Sequence, residues 1–332
     1  MSTTLAQTTP DVGLILETQY RVFDGLIAVG FFACFVIGLP GNCLALRYFL
    51  HTKKRNLSTL LYIVACSIDI GSTIIHLPVA FNLLSNRAPG LLGNTAFCLL
   101  WYFTLLVLQQ MSMFLVMLMS LSRAVVIMHP FYKVNKRAVI VSIPVYLVYH
   151  CIWNTLYFVH ANAYYSTAAA LGQVYSESKF YTFYQVNYSA CLGIPPIIVF
   201  LAFLVSIVNL KKGHITDASQ RRNQQASITI TYFAAIFLLC NCFTFLNSGL
   251  YTLTMAWYKV YPGPVYDNNF MFFYSWLLSE LFCTVLNASL NPLLYVWRMK
   301  NMKMWILGLL RKRANLVSVV IANSTNQTES EL

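Results

Sequence analysis

Along the chain, long apolar runs alternate with short polar joints. A helix needs roughly 20 apolar residues to cross a bilayer, and runs of at least that length occupy 25–50, 58–84, 96–128, 138–163, 184–210, 225–256 and 270–297. None has the residue-by-residue alternation of a membrane β-barrel strand. The pattern predicts an all-α membrane protein, a seven-transmembrane helix bundle over 25–297 preceded by an extracellular N-terminal arm over 1–24. The arm contains no cysteine and is too short to build a folded domain. The first apolar run is too long, and the residues before it too polar, for a cleavable signal peptide. Beyond the last run, "RMKNMKMWILGLL" sets Met299, Met302, Ile306 and Leu309 at helical spacing, with Arg298, Lys300 and Lys303 elsewhere on the wheel. That predicts a short amphipathic C-terminal helix over 298–312 on the membrane surface, its bases drawn to anionic lipids. The remainder, 313–332, is polar and reads as a disordered cytoplasmic tail.

Composition supports the membrane reading: 58% of residues are hydrophobic and 10% charged, against roughly a quarter charged in soluble domains. The net charge of +12 points to lipid rather than nucleic acid because of where the bases lie. Lys53, Lys54 and Arg55 follow the first run; Lys133, Lys136, Arg137, Lys211, Lys212, Arg221, Arg222 and the cluster from Arg298 to Arg313 fall on the same side. Of the 22 Lys and Arg residues only Arg21, Arg87, Lys179 and Lys259 fall on the other. The asymmetry predicts an outside N-terminus and a cytoplasmic C-terminus, as an odd number of spans also requires.

Several residues within the spans are ones that lipid rejects. In "NASLNPLLYVWRMK", Asn287, Asn291 and Tyr295 are spaced i, i+4 and i+8 and form one stripe. Pro292 has no backbone N–H, which frees the carbonyl of Ala288 and weakens the helix there. An amide stripe beside a hinge serves either a helix that repacks between two states or plain adhesion between helices. Asp69 is the only acid deep in any span. A carboxylate at that depth must be protonated, paired or metal-bound, and no Lys or Arg sits at matching depth.

The ordered set Asn42, Asp69, Cys98, Arg123, Trp153, Pro196 and Asn291-Pro292-Leu-Leu-Tyr295 resembles the rhodopsin-like (class A) G-protein-coupled receptors over nearly the whole chain, without a close match to one subfamily. Cys98 and Arg123, 25 residues apart, are separated by about 37 Å of helix and so belong to opposite membrane faces. The resemblance implies a plasma-membrane receptor that binds an extracellular ligand and activates a heterotrimeric G protein, not an enzyme. It assigns coupling and the activation switch to Arg123, Asn291, Pro292 and Tyr295. It also implies an allosteric Na⁺ held by Asp69, Ser112, Asn287 and Asn291, all oxygen donors suited to a hard cation. The other reading of Asp69 is a neutral acid hydrogen-bonded to Asn42 and Asn291. Beyond the receptor, the alternatives are a non-signalling decoy and a channel or transporter, the latter weakened by the lack of an internal repeat.

The chain also departs from that family. Its second extracellular loop, "YYSTAAALGQVYSESKFYTFY", has no cysteine to pair with Cys98, and Cys191 falls about two turns inside the fifth span, so Cys98 is expected unpaired. The sixth span reads Cys240-Asn241-Cys242-Phe243 in place of the family's Cys-Trp-x-Pro, and Ser122 stands where an acid usually precedes Arg123. Amine receptors of this family carry an acid where Leu105 stands, and opsins a lysine where Val285 stands, so neither ligand class is expected. The expected ligand-binding residues are Trp101, Tyr102, Leu105, Gln109, Tyr251, Tyr274 and Glu280, an aromatic and amide-rich set. The Cys-Asn pair tilts the ligand toward a peptide over a lipid or neutral small molecule. Six scattered histidines without a metal or phosphate motif give catalysis no support.

Overall fold

The computed structural model describes residues 10–52, 56–84, 95–129, 134–168, 179–212, 218–242, 244–246 and 270–311, with side chains over 21–52, 56–84, 100–129, 134–156, 190–208, 228–242, 244–246 and 278–311. Helices follow one another as α1 (Pro10–His51), α2 (Leu57–Ile75), α3 (Leu77–Leu84), α4 (Thr95–Met128), α5 (Lys136–Ala168), α6 (Lys179–Lys212), α7 (Ala218–Cys240), α8 (Phe270–Arg298) and α9 over 300–311. No strand occurs among the described residues.

Among the described residues, five segments are long and apolar enough to cross a membrane: Arg21–His51, Leu57–Leu84, Leu100–Met128, Lys136–Leu156 and Ala190–Val208. The apolar part of α7, Ile228–Cys240, is shorter, and the described part of α8 is diluted by Glu280, Asn287, Asn291 and Arg298. Large apolar side chains face outward in stripes, such as Val141, Val145, Val148 and Ile152 on α5 and Ile194, Ile197, Leu201, Leu204 and Val208 on α6. Such stripes are unfavourable in water and suit lipid.

Helix α4 lies centrally, against α2, α5, α6 and α7, while α1 packs on α2, α3 and α8. Two apolar clusters fill the bundle. One gathers Ala28, Phe31, Val79, Leu83, Leu278 and Val285; the other gathers Phe49, Tyr62, Met119, Phe237, Tyr295 and Met302. On each helix the residues between the two clusters are polar and buried: Asn42 on α1, Asp69, Ser72 and Thr73 on α2, Asn287, Ser289 and Asn291 on α8. A polar layer thus divides the core at mid-depth.

Helix α1 begins at Pro10, well before the first predicted run, and two of the predicted runs are interrupted. The run 58–84 is divided at His76, which is a turn between α2 and α3. Pro78 lacks an N–H and its ring crowds the carbonyl four residues back, so the helix restarts with the proline in its first turn. The run 225–256 is interrupted by a turn at Asn241, after which Cys242 and residues 244–246 are helical again. There Asn241 sends both its backbone N–H and its side-chain amide to the carbonyl of Phe237, each at 2.9 Å. A side chain competing for the backbone acceptor loosens a helix without any proline. Helix α1 is continuous through Pro40.

Candidate functional site

The polar layer is built around the missing N–H of Pro292. The orphaned carbonyl of Ala288 accepts from Asn42 Nδ2 of α1 at 3.0 Å. Access depends on two small residues. A Cβ on Gly41 would lie 2.7 Å from Pro292 Cβ, and one on Gly38 would lie 2.5 Å from Ser289 Oγ. These glycines let α1 approach the proline closely enough for Asn42 to reach the carbonyl. One turn earlier, Ser289 Oγ contacts the carbonyls of Cys34 on α1 at 2.9 Å and Val285 at 2.8 Å. "PGN" over 40–42 and "ASLNP" over 288–292 are therefore complementary surfaces of one contact.

Beside them Asn291 Nδ2 donates to Asp69 Oδ2 at 2.7 Å, and Thr73 Oγ1 donates to the backbone carbonyl of Asp69, also at 2.7 Å. Asp69 is 2% exposed, so the amide dipole of Asn291 is the polar partner that a buried carboxyl requires. Among the described residues Asp69 makes no hydrogen bond to Asn42, Asn287 or Ser112. Asn287 is buried and Ser112 half-buried in the same layer. Asn42 Oδ1 is buried without a hydrogen-bond partner. The oxygens of Asp69, Asn42, Asn287 and Ser112 are of the chemical type that a hard monovalent cation takes.

Toward the basic end of the bundle Tyr295 is fully buried among aromatic rings. Its centroid lies 5.3 Å from Phe49, 5.3 Å from Tyr62 and 5.0 Å from Phe233, so α1, α2 and α7 all meet on this tyrosine. Further out, Arg123 Nη2 donates to Ser58 Oγ at 2.7 Å. Arg123 forms no ion pair among the described residues, and Ser122 Oγ turns back to the carbonyl of Met119 at 2.9 Å. Arg123 therefore rests on a neutral hydroxyl of α2. Arg221 and Arg222 have side chains outside the described set.

The expected ligand residues whose side chains are described lie on α4 and α8. Leu105 is buried, and Gln109 Nε2 reaches Thr244 Oγ1 at 3.5 Å, linking α4 to the stretch after α7. Trp101 Nε1 donates to the carbonyl of Ile75 at 2.5 Å, taking up an acceptor exposed by the break between α2 and α3. Glu280 is buried on α8, whereas Tyr102 is exposed. The side chains of Tyr251, Tyr274 and Cys98 lie outside the described residues; the described cysteines, Cys191 included, are free. Sequence reading missed Ser58 and the buried pair Asn154 Nδ2 to Gln110 Oε1 at 3.2 Å. Ser58 carries no motif, but Asn154 and Gln110 were visible as amides in apolar runs. No family model matches the chain, and no curated protein matches it.

Proposed function

We propose that this chain is a seven-span receptor of the rhodopsin-like, G-protein-coupled kind, which binds an extracellular ligand and passes the event to a heterotrimeric G protein. The observation that carries the reading is the joint between α1, α2 and α8. A proline-weakened helix is held there by exchangeable side-chain bonds, Asn42 to the Ala288 carbonyl and Asn291 to Asp69, rather than by its own backbone. Such a joint can break and remake in a second packing, as a two-state transducer needs. Arg123 lies below it, tethered to Ser58 and lining an open crevice at the basic end of the bundle. In this reading the crevice admits the G protein, and Pro292 and Tyr295 carry the movement of α8 toward it. The N-terminus lies outside the plasma membrane and the C-terminus in the cytoplasm, and α9 lies along the inner leaflet. Sodium, when bound, supplies positive charge beside Asp69. Asp69, Ser112, Asn287 and Asn291 would hold it, and it favours the resting packing if its affinity is higher there. Gln109, Leu105, Trp101 and Glu280 lie toward the ligand end, with a peptide favoured by the Cys240-Asn241 pair.

The test uses the full chain in lipid nanodiscs with purified G proteins of each class, screened against peptide, lipid and small-molecule collections. A ligand-dependent rise in nucleotide exchange, lost in Arg123→Ala with ligand binding retained, is expected. Ligand-dependent flux in liposomes without exchange would instead establish a transporter or channel.

A further inference from the structure

We infer that the crevice at the basic end of the bundle binds a polyphosphate anion of the phosphorylated-inositol class, either as a lipid headgroup or free. The crevice encloses about 550 Å³ between the ends of α1, α2, α4, α7, α8 and α9. Three cations line it, Arg123, Arg298 and Lys300, and among the described residues no carboxylate does. Each cation is held by something other than an acid. Arg123 donates to the Ser58 hydroxyl at 2.7 Å. The guanidinium of Arg298 lies over the rings of Tyr232 at 5.2 Å and Trp297 at 5.3 Å, and its Nε is buried without a hydrogen-bond partner. Lys300 is exposed at the mouth. Aromatic faces orient a guanidinium while leaving its charge uncompensated, so like charges converge on a half-enclosed space at a cost that an anion removes.

Further features favour several phosphate groups over a single small anion. Helix α2 opens into the crevice at its N-terminus, where Asn56 caps the helix through the Thr59 amide at 2.8 Å and the partial positive charge of the helix end faces the cavity. Arg123 and Arg298 offer forked donors that match phosphate oxygens. Beside it Trp305 of α9 packs on Tyr48 at 5.6 Å, the kind of aromatic pair that sits at headgroup level. Basic pockets between helix ends on the inner side of a membrane are where phosphorylated headgroups bind. The inference rests on charge and geometry and does not require that the chain couple to a G protein.

The experiment uses the full-length protein in neutral detergent, titrated with dioctanoyl phosphatidylinositol bisphosphate and, separately, with free inositol trisphosphate. Saturable binding of one molecule per chain is expected. Arg298→Gln and the surface change Lys300→Gln should each weaken it roughly fivefold, as for loss of one base near a phosphate surface. Lys136→Gln, an exposed base at the start of α5, should leave it unchanged. Equal affinity for lipid and free headgroup assigns a soluble ligand; binding of the lipid alone assigns a membrane one. Failure of both probes to saturate, or equal weakening by all three substitutions, would overturn the inference.

Discussion

The missing N–H of Pro292 and the amide of Asn42 are two halves of one hydrogen bond. Asn42→Ala leaves the Ala288 carbonyl buried and unsatisfied, a loss of about 1–3 kcal/mol. Pro292→Ala restores the backbone donor, so the same Asn42 substitution should cost less in that background. Unfolding midpoints of the four proteins of the cycle in detergent measure the difference, and strict additivity would show that the bond carries no stability of its own. Asp69 admits a second test at this scale. If the layer holds Na⁺, sodium chloride should raise the midpoint of the parent above its value in choline chloride, and Asp69→Asn should abolish the rise. A rise that persists in the variant excludes Asp69 as the sodium ligand.

At the scale of elements, helix breaks occur where a local group competes with the helical hydrogen bond. Pro78 divides α2 from α3 and Asn241 ends α7, while Pro292 leaves α8 unbroken because α1 supplies the lost donor. The chain also turns between α8 and α9. Phe49 touches Tyr295 and its neighbour Tyr48 touches Trp305. The helix is interrupted at Met299 between them, and α8 and α9 both pack on the end of α1. Met302, fully buried, is its anchor. Burial of such a side chain stabilises by roughly 1.5–3 kcal/mol, so Met302→Asp should raise the open population of α9 at least tenfold. Tryptic cleavage at Lys300 and Lys303 reads this opening directly; an unchanged rate would show that α9 is held by lipid alone.

For the whole molecule, the proposed receptor function makes the tether on Arg123 the contact to test. Ser122 gives Arg123 no counter-charge, and the hydroxyl of Ser58 is its partner instead. A hydrogen bond to a charged acceptor is worth about 1.5–3 kcal/mol, enough to shift a two-state equilibrium roughly tenfold. Ser122→Asp should therefore lower ligand-free nucleotide exchange by about that factor at matched surface expression. An equal or higher rate in the variant would favour a decoy that does not signal.

The helical architecture and the polar positions at Asn42, Asp69, Asn287 and Asn291 were legible in the sequence, because hydrocarbon admits helices and rejects unpaired polar groups. Residue spacing alone already identified Ala288 as the carbonyl that Pro292 orphans. Asn291 was one of the partners the sequence offered Asp69, and that bond forms; the other partners were not legible. Nothing in the sequence pairs Asn42 with Ala288, Arg123 with Ser58 or Trp101 with Ile75, since each bond joins residues from different helices whose relative rotation is set by packing. The breaks at His76 and Asn241 also emerged only in three dimensions, as hydropathy reports burial in lipid and is blind to backbone hydrogen bonding. Local chemistry thus determined which groups needed partners, and tertiary structure decided which partners they found, because only close approach at Gly38 and Gly41 brings α1 within bonding distance of α8.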